Sequence, residues 1–180
     1  DTLTFGAYLR PVLDEIGSFN SQLVRNQDDE YNYRLREKGY RIYLDPAICS
    51  IYYTRANFKS LWRQYFQYGF WKIQVLKEHP QSLLLRHLIP GGFVASLAVT
   101  GLWGLFNPQK SFLIKGMLFS YLFANVSFSL YQSRKNVSFF PALLGIFPTL
   151  HFAYGAGFWW GILKELEKTY DSISCSEKAR

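Results

Sequence analysis

The chain has 180 residues, and its 20 lysine and arginine residues outnumber its 13 aspartate and glutamate residues, which gives a formal net charge of +7. Its mean hydropathy is close to zero, as in an average soluble protein. That average hides two different parts, because residues 88–163 contain four basic residues and no acidic residue. Such a long stretch without a carboxylate argues against a wholly soluble protein. The apolar and aromatic content excludes a disordered chain, and two distant cysteines, Cys49 and Cys175, exclude a disulfide scaffold.

The ends of the sequence suggest a part of something longer. The first residue is Asp1, no signal peptide is recognisable, and the single methionine is Met117. We therefore expect this sequence to be the C-terminal part of a larger protein, with the beginning of its first domain missing.

Residues 1–56 are predicted to form part of an α/β domain. A helix starts at Arg10-Pro11, and another follows Asn26 as its N-cap. Each is stopped by a glycine, Gly17 or Gly39. Segments rich in β-branched and aromatic residues alternate with these helices. The predicted strands are Thr2–Tyr8, Tyr40–Leu44 and Ile48–Tyr53, and the predicted helices end near Ile16 and Lys38.

Residues 57–82 are predicted to form an amphipathic helix. Leu61, Tyr65, Tyr68 and Lys72 recur at helical spacing on one stripe. Basic residues together with two tryptophans are typical of a helix at the membrane–water boundary. The residues expected at that boundary are Trp62 and Trp71. A helix packed on the preceding domain explains the pattern equally well.

Residues 83–163 are predicted to be a transmembrane region, followed by a polar tail over residues 164–180. Three apolar stretches, His87–Phe106, Phe112–Tyr131 and Val137–Leu163, each reach the ~20 residues that cross a bilayer. The third contains Pro141 and Pro148, so it is either kinked or a re-entrant piece followed by a span.

The loop between the second and third stretches predicts the topology. Gln132-Ser133-Arg134-Lys135 is the most basic short loop and is expected to face the cytoplasm. If all three stretches span the bilayer, the N-terminal part lies on that same side.

The acidic run Asp28-Asp29-Glu30 is the main candidate for chemistry. It stands in the first turn of a predicted helix, where acids commonly complement the helix dipole. The functional alternative is a general base, because a carboxylate fixed at a helix start can accept a proton from an attacking hydroxyl. As a metal site the run is weak, and none of the three histidines has a zinc-ligand spacing. His151 lies inside an apolar stretch, where a helix-packing role is favoured over a functional one.

Three segments together resemble a known family. They are Gly6–Asn20 (GAYLRPVLDEIGSFN), Asn26–Ile42 (NQDDEYNYRLREKGYRI) and Leu61–Lys72 (LWRQYFQYGFWK). In this order they resemble the C-terminal half of the catalytic domain of family 2 inverting glycosyltransferases of the GT-A fold. Within that family they are most similar to membrane-associated enzymes of succinoglycan-type exopolysaccharide synthesis. The resemblance implies that residues 1–56 are the acceptor-side half of an α/β domain.

The resemblance also implies roles for particular residues. Asp28 matches the family's general base on the acceptor hydroxyl, and Gln27 stands where the family has a glutamate. Arg34 matches a helix arginine, and Gln64 matches the first residue of the Q-x-x-R-W motif of processive synthases. That motif has Gln67 and Tyr68 here in place of Arg and Trp, which weakens any prediction of processive synthesis. The expected catalytic residue is Asp28, supported on the acceptor side by Gln27, Asp29, Glu30, Arg34 and Gln64.

The implied activity is sugar transfer by the complete enzyme. The donor would be a nucleotide-sugar, and the acceptor would be a hydroxyl of a lipid-linked saccharide or polysaccharide, with inversion. A divalent metal, Mg or Mn, would be held by the missing donor half, so this chain alone is expected to hold no metal and to be inactive. The expected location is the inner membrane, multi-pass, with the catalytic part facing the cytoplasm. Nucleic acid is not an expected partner, because acidic residues accompany the basic ones in residues 1–87. The alternative class is a non-enzymatic membrane anchor or assembly subunit, in which Asp28 would only cap a helix.

Overall fold

The computed structural model describes residues 6–49 and 51–178, with the side chains of all of these except 110 and 172–178. Six α-helices account for the regular structure there, with short 3₁₀ turns before α4, α5 and α6. They are α1 (Arg10–Ile16), α2 (Gln27–Glu37), α3 (Phe58–Glu78), α4 (Leu85–Phe106), α5 (Phe112–Ser133) and α6 (Phe140–Lys178).

The first two helices begin and end where local signals predict. Proline stands in the first turn of α1, where its missing N–H removes no helical hydrogen bond. Gly17 and Gly39 follow the two helices with φ values of 85° and 84°, a left-handed conformation that suits glycine. Asn26 takes the N-cap position of α2, but its side chain does not cap the helix. Its amide instead donates to the carbonyl of Tyr68 in α3, 3.3 Å away.

The predicted α/β architecture is wrong, because the described residues contain no β-strand. Tyr40–Leu44 and the described residues of Ile48–Tyr53 are irregular. Of the first predicted strand, Thr2–Tyr8, residues 2–5 lie outside the described part. The side chains of Tyr43, Ile51 and Tyr53 are 81%, 83% and 86% exposed. A strand forms only with a hydrogen-bonded neighbour and a layer that covers its apolar face. These segments have β propensity, but among the described residues they have no neighbouring strand and no layer that covers their apolar side chains.

The three predicted apolar stretches are helices. By length and composition, Leu85–Phe106, Phe112–Ser133 and Val137–Asp171 can each cross a membrane, which makes this a membrane protein. The third stretch is one continuous helix and not a re-entrant piece, since α6 runs through Pro148 for 39 residues. At 1.5 Å per residue it is about 58 Å long, well beyond the ~30 Å of hydrocarbon. Residues 164–178, predicted as a polar tail, continue this helix.

Two polar pairs join the membrane helices. The Tyr121 hydroxyl of α5 lies 3.0 Å from Nδ1 of His151 in α6, so this histidine pairs two neighbouring helices. The Asn125 amide donates to the carbonyl of Leu144 at 3.1 Å. Such interhelical hydrogen bonds contribute to association where lipid offers no competing partner.

The amphipathic helix α3 packs along α6. Gly69 of α3 lies so close to α6 that a Cβ there would overlap the carbonyl of Tyr154. In the reverse direction, Gly157 lies against the carbonyl of Phe66 and Gly161 against Ile73. Small residues at helix crossings allow the two backbones to approach closely. Beyond this crossing, both carboxylate oxygens of Glu165 accept hydrogen bonds from the end of α3, from Gln74 at 2.7 Å and Lys77 at 2.6 Å.

We expect Gly69→Ala to destabilise the protein, because the added methyl group must displace a backbone carbonyl. Overpacking of this kind costs about 1–3 kcal/mol. Gly116→Ala is the matched control, since nothing lies within 4 Å of a Cβ built there, and alanine is the better helix former. Thermal unfolding in detergent measures both. A melting temperature that is unchanged in Gly69→Ala would contradict the close crossing.

Candidate functional site

A cleft of about 950 Å³ lies between the start of α2, one face of α3 and the first turn of α4. Tyrosines contribute much of its wall. Tyr65 and Tyr68 of α3 face each other edge to face, with ring centroids 5.5 Å apart. The Gln64 amide donates to the Tyr68 hydroxyl at 2.8 Å. Three further tyrosines line the cleft, Tyr8, Tyr52 and Tyr154.

The hydroxyls of two of these tyrosines keep their protons well above neutral pH. Burial, followed by the neighbouring Tyr68 and Tyr52, raises the pKa of Tyr65. Burial, followed by the neighbouring Tyr31 and Asp28, raises the pKa of Tyr8. A neutral phenol can donate a hydrogen bond, so the cleft offers donors to oxygen-rich ligands such as saccharides.

The three acids of the predicted run point to three different places. Successive residues of a helix are rotated by about 100°, so neighbours in sequence face different surroundings. Asp28 lines the cleft, Asp29 turns towards α3, and Glu30 is buried on the other side.

Asp29 forms an ion pair that joins α2 to α3. Nζ of Lys72 lies 2.6 Å from Oδ2 of Asp29, and the Lys72 side chain is only 5% exposed. Two more hydrogen bonds join the residues before α2 to α3. The Asn26 amide donates to the Tyr68 carbonyl, and Nε of Arg25 donates to the Gln67 side chain at 3.2 Å. The first turn of α2 is therefore fixed against α3.

Glu30 belongs to a separate network outside the cleft. Its two oxygens accept from Nε and Nη2 of Arg34, at 2.6 and 3.1 Å. The same arginine donates to the carbonyls of Ile16 and Ser18 at 2.8 Å, so it braces the end of α1. Nε2 of His79 lies 3.1 Å from Oε1 of Glu30. These residues hold the fold together and do not reach the cleft.

Asp28 is the acid of the run whose carboxylate has no cationic partner among the described residues. Its Oδ1 accepts from the backbone N–H of Asp29 at 3.0 Å. Within the part of the chain that the structure describes, it forms no ion pair. Asp28 is half-buried at the start of α2, beside the tyrosines of the cleft. Its position therefore suits a group that accepts a proton from a bound hydroxyl.

Gln27 and Gln64 also line the cleft. The Gln27 amide donates to the carbonyls of Leu23 at 2.5 Å and Asn20 at 3.3 Å, which fixes the loop before α2. Of the residues predicted at the site, Gln27, Asp28, Asp29 and Gln64 are thus brought together, whereas Glu30 and Arg34 are not. Of the predicted boundary tryptophans, Trp62 is exposed and Trp71 is half-buried.

The amino-acid sequence is similar to those of two known proteins. Over 148 residues, or 82% of its length, the chain is 28% identical to the succinoglycan biosynthesis protein ExoA of Rhizobium meliloti. Over 106 residues, or 57% of its length, it is 31% identical to a transferase of Methanococcus voltae. That enzyme is named dolichyl N-acetyl-α-D-glucosaminyl phosphate 3-β-D-2,3-diacetamido-2,3-dideoxy-β-D-glucuronosyltransferase. The chain is thus similar to two proteins of saccharide synthesis, one of which is named as a glycosyltransferase.

This relationship confirms the resemblance seen in the three sequence segments. The chain spans 44% of the Rhizobium relative and 32% of the Methanococcus relative. No family model matches it, and no solved structure gives a significant match.

Sequence reasoning missed several residues of the cleft. Tyr65, Tyr68 and Lys72 form one helical stripe in the sequence. The structure shows that this stripe lines the cleft and that the adjoining face of α3, which carries Gly69, packs on α6. The spacing predicts that these residues share one face of the helix, but it does not predict what that face contacts. Arg86 and Tyr154 also line the cleft. They come from membrane helices distant in sequence, and no local pattern marks them.

We expect the Asp29–Lys72 ion pair to contribute measurably to stability. A double-mutant cycle with Asp29→Asn and Lys72→Met should give a coupling energy of about 1–3 kcal/mol, because Lys72 is buried. The control is the exposed Arg10–Asp14 pair, whose side chains are 84% and 60% exposed, where coupling should stay below about 0.5 kcal/mol. Equal coupling in the two cycles, measured by unfolding in detergent, would show that the pair does not join α2 to α3.

Proposed function

We propose that the complete protein is a membrane-bound glycosyltransferase that moves a sugar from a nucleotide-sugar to a hydroxyl of a lipid-linked saccharide or polysaccharide, with inversion. The observation that carries the proposal is the carboxylate of Asp28 in a cleft lined by tyrosines, with one oxygen bonded to the Asp29 N–H and no ion pair among the described residues. The relationship to enzymes of saccharide synthesis supports it.

Asp28 is the general base of the proposed reaction. The acceptor oxygen forms a bond to the anomeric carbon of the donor sugar, while the bond from that carbon to the diphosphate breaks. The hydroxyl proton passes to the free Oδ2 of Asp28, and the bonding electrons leave with the nucleoside diphosphate. A single displacement from the face opposite the leaving group inverts the anomeric centre.

The acceptor is proposed to carry a lipid phosphate. The Methanococcus relative is named for a dolichyl-linked glycosyl phosphate as its acceptor. In this chain the cleft reaches Arg86 and His87, in the first turn of the apolar helix α4. A saccharide attached to a lipid in the bilayer could thus present its hydroxyl to Asp28.

A divalent cation, Mg²⁺ or Mn²⁺, is proposed to stabilise the departing diphosphate in the complete enzyme. The described residues of this chain do not fit that role. Glu30, Glu78 and His79 do lie close enough together to surround an ion. Both oxygens of Glu30, however, are already bonded to the Arg34 guanidinium, which repels a cation. The cation would therefore be held by residues beyond this chain, and this chain alone would be inactive.

The proposed location is the inner membrane, with the cleft facing the cytoplasm. The basic loop containing Arg134 and Lys135 supports this orientation. With α4 and α5 both crossing the bilayer, that loop and the cleft lie on the same side.

Asp28→Asn in the complete protein should abolish transfer and leave donor binding intact. Removal of a general base lowers turnover by about 10²- to 10⁴-fold. Asp14→Asn is the matched control, because Asp14 is an exposed acid of α1 that does not line the cleft. Transfer of labelled sugar in native membranes gives the rate, and titration with the donor gives its affinity.

Turnover retained in Asp28→Asn would exclude the base role. If the protein were a non-enzymatic anchor, both variants would show no transfer, and Asp28→Asn would only change helix stability by roughly 1 kcal/mol.

A further inference from the structure

The membrane end of the cleft contains an arginine, Arg86, that has no partner among the residues the structure describes. Arg86 lies in the first turn of α4 and lines the cleft beside His87. It is exposed, and within the described part of the chain it forms no hydrogen bond or ion pair. Its guanidinium is therefore free to bind a ligand.

Tyr154 provides a second polar group on this wall. Its hydroxyl is buried and has no hydrogen-bond partner among the described residues, although the residue lines the cleft. Buried hydroxyls are normally hydrogen-bonded, and of the unpaired buried side-chain atoms among the described residues this is the one that belongs to the cleft wall. A ligand oxygen would complete it.

The position of this wall is fixed by close helix contacts. The carbonyl of Tyr154 lies against Gly69 of α3, and the next residue, Gly155, lies against the Pro90 carbonyl of α4. Nε1 of Trp159 donates to the carbonyl of Gly91 at 2.8 Å. The first turns of α4 are thus held against the part of α6 that carries Tyr154.

The charges of the cleft favour an anion. Lys72 and Asp29 neutralise each other at 2.6 Å, which leaves Asp28 as the other acid in the wall. Arg25 and Arg86 are the other two cations there, and neither has an acidic partner among the described residues, although Arg25 donates to Gln67. A guanidinium binds phosphate oxygens in a bidentate manner. A phosphate group is an anion that this wall can bind, and both substrates of the proposed reaction carry one.

Two sources could bring that phosphate, the nucleotide-sugar donor or the lipid-linked acceptor. Arg86 is followed by the apolar residues of α4, so its guanidinium stands where the aqueous cleft meets the spanning helices. A phosphate attached to a bilayer lipid reaches this point directly. On the basis of the proposed function, we propose that Arg86 and Tyr154 bind the phosphate of the lipid-linked acceptor and thereby determine acceptor specificity.

The test is binding of farnesyl phosphate, a short isoprenoid phosphate, to the purified complete protein in detergent by calorimetry. Farnesol reports the lipid chain alone, and UDP reports a donor-type diphosphate. Arg86→Gln should weaken farnesyl phosphate binding by roughly tenfold or more, the loss expected for one charge-assisted contact. Tyr154→Phe should weaken it less, and Arg86→Lys should retain part of the affinity. Farnesol and UDP should bind all variants equally.

Arg134→Gln is the matched control, because Arg134 lies over the Tyr131 ring at the end of α5 and does not line the cleft. Unchanged farnesyl phosphate binding in Arg86→Gln would overturn the proposal. Loss of UDP binding in that variant would also overturn it and assign the guanidinium to the donor. If Arg86→Gln weakened farnesol binding to the same extent, the wall would bind only the lipid chain, and the proposal would also be wrong. The result is independent of the base role, since Asp28→Asn tests turnover and these titrations require none.

Discussion

The close crossing of α3 and α6 determines how the rest of this protein is arranged. Gly69 and Gly157 have no side chains that would keep the two backbones apart, so one face of α3 packs directly on the membrane helix α6. The adjoining face of α3 then presents Tyr65, Tyr68 and Lys72 to the cleft. Lys72 in turn holds Asp29 and so fixes the first turn of α2, where Asp28 lies. A contact beside the membrane thus sets the position of an acid in the aqueous cleft.

The acidic run illustrates how one stretch of sequence serves several purposes. The three acids are adjacent in sequence, but helical rotation gives them different surroundings. Asp29 forms an ion pair with α3, Glu30 is buried in a network with Arg34, and Asp28 faces the cleft. Two of the three acids have cationic partners that stabilise the fold. Asp28 has none among the described residues. This difference is the reason for proposing Asp28, and not its two neighbours, as the general base.

Local signals predicted the parts of the fold that depend on local physics. Pro11, Gly17 and Gly39 gave the ends of α1 and α2, and the apolar stretches gave the three membrane helices. The strand predictions failed because a strand depends on a neighbour, which residues 40–49 and 51–53 do not have in this structure. The cleft was predicted in part. Asp28 and Gln64 were recognised from a family resemblance, whereas Tyr154 and Arg86 join them only through the packing of α4 and α6.

The α3–α6 crossing is proposed to position Asp28 for sugar transfer, although Gly157 and Phe66 of that crossing lie outside the cleft. Gly157→Ala tests it most directly, since the added methyl group would overlap the Phe66 carbonyl without touching a residue that lines the cleft. The measurement is the transfer rate of the folded, membrane-inserted complete protein, compared with Gly116→Ala. The account predicts a clear fall in rate for Gly157→Ala and none for Gly116→Ala. An undiminished rate in folded Gly157→Ala would contradict it.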